Sequence, residues 1–328
     1  MIRLDDLENG YFIYQDTDFF CFGIDAVLLA HFAKLKPGDR VLDLCTGNGI
    51  VPLLMHAAAR DEGVPATFAG MEILQPMAEL AARSVRHNHL ENDIEITEGD
   101  LREAVDFYGP ASFSLVTCNP PYMRARQGLL GKTGSKTATQ QLPLADANAK
   151  TAARQMSLAD ANAETVARQI PLTDADTNTF AKQNPHGSAD AKTAAKQKQL
   201  ADADAKTAAL QEPYTDASAK TIARHEILCT LCDVICQSAK VLKSRGRFAM
   251  VHRPGRLPEI FALLREHHLE PKRMQLVCPY VDKAPTMVLI EAVKGGGPQL
   301  NVEPPLIVYN ADRTYTEQVL KIYGKNAL

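Results

Sequence analysis

The segment Asn119-Pro120-Pro121-Tyr122 has the residue types needed to hold a planar amino group. An exocyclic amine on a nucleobase is a poor nucleophile because its lone pair is delocalised into the ring. Two acceptors directed at its hydrogens, the Asn119 side-chain oxygen and the Pro120 carbonyl, favour the more reactive sp³ form. The two prolines stiffen the backbone that carries these acceptors, and the Tyr122 ring offers a face on which a flipped base can stack. The segment therefore predicts chemistry at an amino nitrogen; a simple proline turn after a strand is the alternative.

A loop rich in small residues, Asp43 to Gly49, lies between a predicted strand and a predicted helix. Gly47 and Gly49 allow the backbone to turn sharply and to approach a ligand at the N-terminus of the helix. Enzymes that bind dinucleotides share this geometry, so the loop alone does not identify the ligand. We expect the ligand to contact Asp43, Cys45, Gly47, Asn48 and Gly49.

Acidic residues at the ends of the next two strands narrow the choice of ligand. Glu72, followed by Ile73, can accept hydrogen bonds from both hydroxyls of a ribose, and Asp100, followed by Leu101, can accept one from an adenine amino group. Ligands of open α/β sheets bind at the carboxyl ends of the strands, so an adenosine group is expected there. The alternative is that these acids only cap helices. An adenosyl donor with a reactive sulfonium methyl needs no metal and no covalent intermediate, and catalysis is then mostly orientation and local polarity.

The elements that must position these residues alternate between strand and helix. Such alternation predicts an α/β fold with a mainly parallel sheet and helices on both faces. The last two strands are separated by a short turn region, which predicts an antiparallel hairpin. The predicted strands are 40–44, 67–73, 94–97, 113–118, 247–251, 274–280 and 287–293, and the predicted helices are 50–60, 77–89, 223–242 and 257–267.

Between the two halves of this pattern lies a tandem repeat rich in Ala, Thr, Asp, Lys and Gln. Its units end at glutamines that recur every 14 residues, from Gln155 to Gln211. Each unit has too few large apolar residues for a coiled coil or a solenoid core. The repeat therefore predicts a disordered or marginally helical surface excursion, with a partner-binding element as the alternative. The expected organisation is residues 1–130 and 219–328 as two halves of one domain, with 131–218 inserted.

Bulk properties exclude several classes of protein. The formal net charge is only −3, so any surface that binds nucleic acid must be local. The N-terminus has no basic region followed by an apolar run, and no stretch is apolar enough to span a membrane. Seven cysteines without a secretory signal predict reduced thiols in a cytoplasmic protein.

The order of these motifs resembles that of class I methyltransferases acting on amino groups. More narrowly, the chain resembles the bacterial tRNA1(Val) adenine-37 N6-methyltransferase family over residues 1–130 and 219–328. The resemblance implies a Rossmann-like, seven-stranded sheet whose last strand is antiparallel, S-adenosyl-L-methionine as donor, and tRNA as substrate. It also implies that Phe22, Gly23 and Asp25 enclose the methionine end of the donor. The resemblance is carried by Asp43-x-Cys45-x-Gly47-x-Gly49, Glu72, Gly99-Asp100, Asn119-Pro120-Pro121-Tyr122, the stretches 14–15, 20–29 and 222–226, and Met250-Val251-His252-Arg253-Pro254.

The chain departs from the family pattern in two places. Cys45 stands where the family usually has glycine, which is tolerable if its backbone keeps a negative φ. The repeat follows the loop after the fourth strand, a region that lies near the substrate in such enzymes. At this position the repeat would either hinder or extend the contact with tRNA.

Basic residues after strand ends could form a rim that holds RNA phosphates around a flipped base. An ordinary solvated face is the alternative for each one. The candidates are Arg124, Arg224, His252, Arg253, Lys272 and Arg273.

Three cysteines, Cys229, Cys232 and Cys236, are spaced to share one stripe of a helix. No fourth ligand with suitable spacing is evident, so small core residues are a better interpretation than a metal site.

Two other functions remain open. Asn-Pro-Pro-Tyr also suits an amide, as in protein-glutamine N5-methyltransferases, although that class usually carries a helical domain before the first glycine loop. Only 42 residues precede Asp43. The other alternative is a non-catalytic binding protein in which the repeat is the working part.

Overall fold

A computed structural model describes residues 1–19, 21–122 and 228–324. A central sheet of eight strands runs in the order β5-β4-β3-β6-β7-β9-β8-β10, and a separate hairpin, β1–β2, precedes it. The strands are β1 Ile2–Asp6, β2 Phe12–Asp16, β3 Asp39–Leu44, β4 Ala66–Glu72, β5 Ile94–Glu98, β6 Phe113–Cys118, β7 Leu242–His252, β8 Leu269–Cys278, β9 Met287–Lys294 and β10 Asn301–Ile307. The α-helices of the described ranges are α1 Ile24–Phe32, α2 Ile50–Glu62, α3 Gln75–His87, α4 Ala104–Tyr108, α5 Leu231–Val241, α6 Leu257–Glu266 and α7 Glu317–Ile322.

Strands β5, β4, β3, β6 and β7 are all parallel, whereas β9 runs antiparallel between β7 and β8. The predicted α/β fold class, with its antiparallel hairpin near the end of the chain, is therefore confirmed. Among the strands, the β1–β2 hairpin was not predicted, and neither was an eighth strand, β10, which pairs parallel to β8 at the edge of the sheet. Helices α1, α4 and α7 were not predicted either.

Both faces of the sheet are buried, so its central strands are apolar nearly throughout. Neighbouring residues in a strand point to opposite faces, and adjacent positions accordingly enter different cores. Val41 packs with α1, α2 and α7 on one face, whereas Leu42 packs with α4, α5 and α6 on the other. None of the helices in the described ranges is long and apolar enough to cross a membrane.

The structure differs from the prediction of one helix over 223–242. Helix α5 begins only at Leu231, because Thr230 is extended and caps it. The Thr230 hydroxyl accepts from the Asp233 N–H, and the Asp233 carboxylate accepts from the Thr230 N–H at 2.8 Å, forming a capping box. The helix then ends at Val241 and passes directly into β7, which is longer than predicted. Residues 223–227 lie outside the described ranges.

The β1–β2 hairpin is fixed to α3 by hydrogen bonds from its second strand. The Tyr14 N–H donates to the Ser84 hydroxyl at 2.9 Å, and the Phe12 N–H donates to the Asn88 side chain at 2.8 Å. The Arg83 guanidinium lies 3.8 Å from the centre of the Tyr14 ring, a cation–π contact. These contacts bring the N-terminal segment against the helix that follows Glu72.

Candidate active site

The carboxyl ends of five parallel strands, β3 to β7, meet at one edge of the sheet. Leu44, Met71 and Cys118 are in register across β4, β3 and β6, and Met250 of β7 pairs with Cys118. The glycine loop, Glu72, Asn119 and His252 each follow or end one of these strands. The residues predicted to bind the methyl donor and those predicted to bind the methyl acceptor thus lie at the same edge of the sheet.

The glycine loop adopts left-handed backbone at three positions, with φ of 58° at Cys45, 58° at Gly47 and 82° at Gly49. The condition under which a side chain at Cys45 is easily tolerated, a negative φ, is not met, because the turn from β3 towards α2 begins at this residue. A Cβ at Gly49 would lie 3.1 Å from the Ala81 Cβ, so glycine permits the close approach of α2 and α3. Among the described residues, such an atom at Gly47 would meet only the Met77 methyl group, at 3.9 Å, which leaves this backbone open.

Asn48, in the middle of the loop, is buried. Its side-chain nitrogen makes no hydrogen bond within the part of the chain that the structure describes. A buried donor without a partner costs free energy, typically about 1–3 kcal/mol. A ligand that accepts from this nitrogen would offset that cost.

Asp43 and Glu72 are both buried and held by the protein. Asp43 accepts a hydrogen bond from the Thr117 hydroxyl at 2.6 Å, and burial raises its pKa to about 7. Glu72 accepts from the N–H groups of Gly47 and Leu74, at 2.9 and 3.0 Å, and burial raises its pKa as well. Glu72 therefore connects the glycine loop to the end of β4. Ile73, next to it, is half-buried beside Leu74.

Asp100 makes the contacts expected from the alternative interpretation, in which it caps a helix. Its carboxylate accepts from the Arg102 N–H at 2.9 Å and from the Arg102 guanidinium, and it begins a 3₁₀ turn over Leu101–Glu103. Leu101 is buried in the core under this turn. Asp100 keeps lone pairs for an adenine amino group, but Arg102 is its partner here.

Residues Asn119–Tyr122, here called the acceptor tetrapeptide, follow β6 directly. Pro120 is buried and the other three residues are half-buried. The Tyr122 hydroxyl lies 2.6 Å from the Asp25 carboxylate and also contacts the Asn119 side-chain oxygen. Burial and the neighbouring Asp25 raise the pKa of Tyr122 well above its usual value, so the phenol stays protonated. The Arg253 guanidinium lies 5.0 Å from the centre of the Tyr122 ring.

The structure thus places Asp25 against the acceptor tetrapeptide, at the beginning of α1. Its other carboxylate oxygen accepts from the Ala26 N–H at 3.0 Å. Gly23 is the extended residue before the helix, and the Phe22 N–H donates to the Gln15 side chain at 3.2 Å. The resemblance implies a role for this stretch at the donor, whereas the contact seen for Asp25 is with the acceptor side.

His252 is not part of a basic rim, contrary to expectation. It is fully buried at the end of β7, and burial, with Arg256 and Arg253 nearby, lowers its pKa to about 4. Its Nδ1 accepts from the Arg253 N–H at 2.8 Å, so the neutral ring carries its proton on Nε2. The ring meets the Tyr122 ring at 5.5 Å and 77°. The sequence did not predict this packing, because the predicted strand over 247–251 ends before His252, whereas β7 includes it.

The expected position of Lys272 and Arg273 on the catalytic side is also wrong. Lys272 donates to three carbonyls of residues 297–299, in the turn after β9, which lies at the amino edge because β9 is antiparallel. Arg273 binds Glu291, Glu303 and the Phe32 carbonyl at the far end of α1 from Asp25. Arg253 remains at the site, and Arg124 and Arg224 lie outside the described residues.

The prediction that Cys229, Cys232 and Cys236 are core residues on one stripe of a helix is correct only in part. Cys229 precedes α5 and is buried with Cys45 and Cys118, as expected for a core residue. Cys232 is exposed, because α5 turns this position away from the sheet. Thr117 is a further site residue that the sequence did not reveal; its signal was a polar side chain within an apolar strand next to Asn119.

Comparison with solved structures identifies the class of protein to which this fold belongs. The structure of a protein described as a predicted O-methyltransferase from Agrobacterium tumefaciens superposes with a TM-score of 0.53, covering 93% of this chain and 98% of that one at 19% identity. The chain therefore has the fold of class I methyltransferases.

Residues 23–142 match the family model described as methyltransferase small domain. A tRNA1(Val) (adenine(37)-N6)-methyltransferase of Aeromonas salmonicida is 31% identical over 107 residues, which are 33% of this chain and 42% of that protein. A ribosomal protein uL3 glutamine methyltransferase of Bordetella pertussis is 33% identical over 93 residues, 28% of this chain and 29% of that protein. The chain thus matches less than half the length of each relative.

Proposed function

We propose that the chain transfers a methyl group from S-adenosyl-L-methionine to the N6 amino group of an adenine in tRNA, with A37 of tRNA1(Val) as the expected target. The observation that carries this proposal is the position of Asn119 and Pro120 at the end of β6, beside the strand that leads into the glycine loop. In the proposed organisation, residues 1–130 and 219–328 form the two halves of the catalytic domain, and 131–218 is an insertion between them.

The residues at the ends of β3 and β4 fit the donor. Gly47 offers open backbone, and the buried Asn48 side chain has an unused donor within the described residues. Glu72 would accept from the ribose hydroxyls, since a carboxylate has more lone pairs than its contacts with Gly47 and Leu74 use. The donor supplies a methyl group already activated by its sulfonium charge.

The residues after β6 fit a planar amino group. The Asn119 side-chain oxygen and the Pro120 carbonyl would accept its two hydrogens, which localises the nitrogen lone pair for attack. Tyr122 has Arg253 against its ring, and another part of that ring would support the base. A glutamine amide is the second candidate, and the Bordetella pertussis relative favours it.

The acceptor is identified by incubating the protein with methyl-labelled donor and total tRNA that lacks N6-methyladenosine. We expect label in tRNA, recovered after digestion as N6-methyladenosine. The same reaction with ribosomal proteins is the competing arm, and label found there alone would overturn the tRNA proposal.

Asn119→Ala tests the proposed use of the tetrapeptide. Loss of one such acceptor is expected to lower kcat about 10²–10³-fold, by analogy with other groups that stabilise a transition state. Donor binding, measured by calorimetry, should change little. Asn301→Ala, at an exposed position in β10, is the control. Unchanged turnover in Asn119→Ala would remove this residue from the mechanism.

A further inference from the structure

Two side chains contact the Tyr122 hydroxyl, and the hydrogen-bonding capacities of the three groups do not match as they stand. The Asp25 carboxylate lies 2.6 Å from the hydroxyl oxygen, and the Asn119 side-chain oxygen contacts the same atom. A phenol has one proton, whereas a carboxylate and an amide oxygen are both acceptors only. One proton cannot satisfy both oxygens.

The carboxylate is the stronger acceptor, because hydrogen bonds to an ionised group are about twice as strong as neutral ones. With the Tyr122 proton directed at Asp25, the hydroxyl presents only lone pairs to Asn119. A half-turn of the Asn119 amide places its nitrogen against those lone pairs and satisfies every group. The two ends of an amide have nearly the same shape, so their hydrogen bonds decide its orientation. The resulting chain runs from the Asn119 amide nitrogen to Tyr122 and from Tyr122 to Asp25.

We propose that Asp25 is a positioning residue for methyl transfer: acting through the Tyr122 hydroxyl, it fixes the Asn119 amide with its oxygen free for the target amino group. This inference rests on the proposed function and names a residue that orients its acceptor site. Without Asp25 the phenol proton turns to the Asn119 oxygen and occupies the lone pair that the amino group needs.

Asp25 is well placed for this role. It lies in the first turn of α1, where the helix dipole stabilises a negative charge, and its second oxygen is held by the Ala26 N–H at 3.0 Å. Helix α1 is anchored by buried residues that include Leu28 and Leu29. The carboxylate therefore has a fixed position against which Tyr122, and through it Asn119, is oriented.

Kinetics on tRNA test the coupling between these residues. Asp25→Asn replaces a charged acceptor by a neutral one and should lower kcat about tenfold, with the Kd of S-adenosylmethionine changed less than about twofold. Tyr122→Phe removes the link. Adding Asp25→Asn to Tyr122→Phe should therefore cause almost no further loss. Asp106→Asn, at an exposed carboxylate on α4, is the control.

Two kinetic results would overturn the inference. One is a multiplicative loss of kcat in the double variant, which would mean that Asp25 does not act through Tyr122. The other is a loss confined to donor binding, which would place Asp25 at the donor. Transfer by the unaltered chain is measured first, and its absence counts against the proposed function alone.

A measurement independent of activity addresses the same hydrogen bonds. In asparagine-labelled protein, the side-chain NH₂ signal of Asn119 is identified by its absence in Asn119→Ala. Its protons should exchange with water more slowly in the unaltered chain than in Tyr122→Phe or Asp25→Asn. Equal exchange rates in all three would show that the amide nitrogen does not donate to Tyr122 and would overturn the inference.

Discussion

Cys45 occupies a backbone conformation that glycine adopts at no cost. Its φ is 58°, and a side chain in the left-handed region is typically disfavoured by about 1–2 kcal/mol. The thiol packs with Cys118 and Cys229 between β3, β6 and the start of α5, and this contact offsets part of the strain. Cys45 therefore contributes to the fold through its side-chain contact, whereas its backbone conformation would suit glycine better.

Replacing Cys45 by glycine or by alanine separates these two effects. Both variants lose the sulfur contact, but only glycine also relieves the backbone strain. We expect Cys45→Gly to be about 1 kcal/mol more stable than Cys45→Ala in urea unfolding. Gly38→Ala, at a φ of 81° with no atom of the described residues within 4 Å of the added carbon, is the control for strain alone and should also be destabilising. Equal stability of the two Cys45 variants would contradict the prediction.

Asp43 makes the stability of the fold depend on pH. Its pKa is raised from the usual 3.8 to about 7 by burial, so between about pH 4 and 7 the native state holds a proton that the unfolded chain has released. Because the native state binds more protons, this group lowers the free energy of unfolding as the pH rises through that window.

Asp43→Asn removes this contribution while keeping an acceptor for Thr117. The stability of the variant relative to the unaltered chain should therefore increase from pH 4 to 7, by up to about 1.4 kcal/mol per pH unit, and level off above. Urea unfolding at several pH values measures the difference, with Asp106→Asn as the exposed control. A difference that does not vary with pH would disprove the assignment to Asp43.

The sequence predicted which residues lie at the site better than it predicted the contacts that these residues make. The strand ends that carry Asp43, Glu72 and Asn119 follow from local patterns, since parallel strands must end at one edge. The partners of these residues depend on tertiary packing that no local pattern encodes. The Asp25–Tyr122 contact joins residues far apart in sequence, and the burial of His252 requires β7 to continue past Val251.

At the scale of elements, the prediction failed where local signals oppose strand formation. Strand β10 contains Pro304 and Pro305, which cannot donate to a ladder and argue against a strand. The structure accommodates them because β10 lies at the edge of the sheet and its register with β8 shifts between Glu303 and Leu306. The fold of the central strands was predictable because their apolar runs have no such conflict.

A buried ion pair joins the two halves of the described chain at the amino end of the sheet. Arg247 of β7 contacts Asp39 of β3, and both side chains are less than a tenth exposed. Asp39 also accepts from the Ser114 hydroxyl and the Lys36 N–H, each at 2.7 Å. The pair therefore fixes β3, β6 and β7 relative to one another.

Arg247→Met should cost about 3–5 kcal/mol, because it leaves the Asp39 carboxylate buried without its counter-charge. Adding Asp39→Leu should recover part of that loss, which a double-mutant cycle by urea unfolding would measure. Lys321→Met, which removes an exposed pair with Glu317 on α7, should have little effect. A loss at Arg247 no larger than that at Lys321 would refute the structural role of the pair.

At the scale of the whole molecule, the long repeat falls between two strands that are direct neighbours. Strand β6 ends at Cys118 before the repeat and β7 begins at Leu242 after it, yet they pair in parallel within one sheet. A parallel connection needs a crossover of a dozen or more residues, and α5 lies in this one. Nothing in the pairing of the two halves requires the additional length of the repeat.

Deleting residues 134–218 should therefore leave the fold intact. Residues 123–133 and 219–227 would still connect Tyr122 to Leu228, and the entropic cost of closing a loop changes slowly with its length. We expect cooperative urea unfolding within about 1–2 kcal/mol of the full chain and methyl transfer to tRNA at a similar rate. A chain lacking α5 is the control and should not fold, because α5 covers the buried face formed by Phe113 and Phe248. If the 134–218 deletion instead lost cooperative unfolding, the repeat would be a structural part of the domain; if it folded but lost only tRNA methylation, the repeat would belong to the RNA-binding surface.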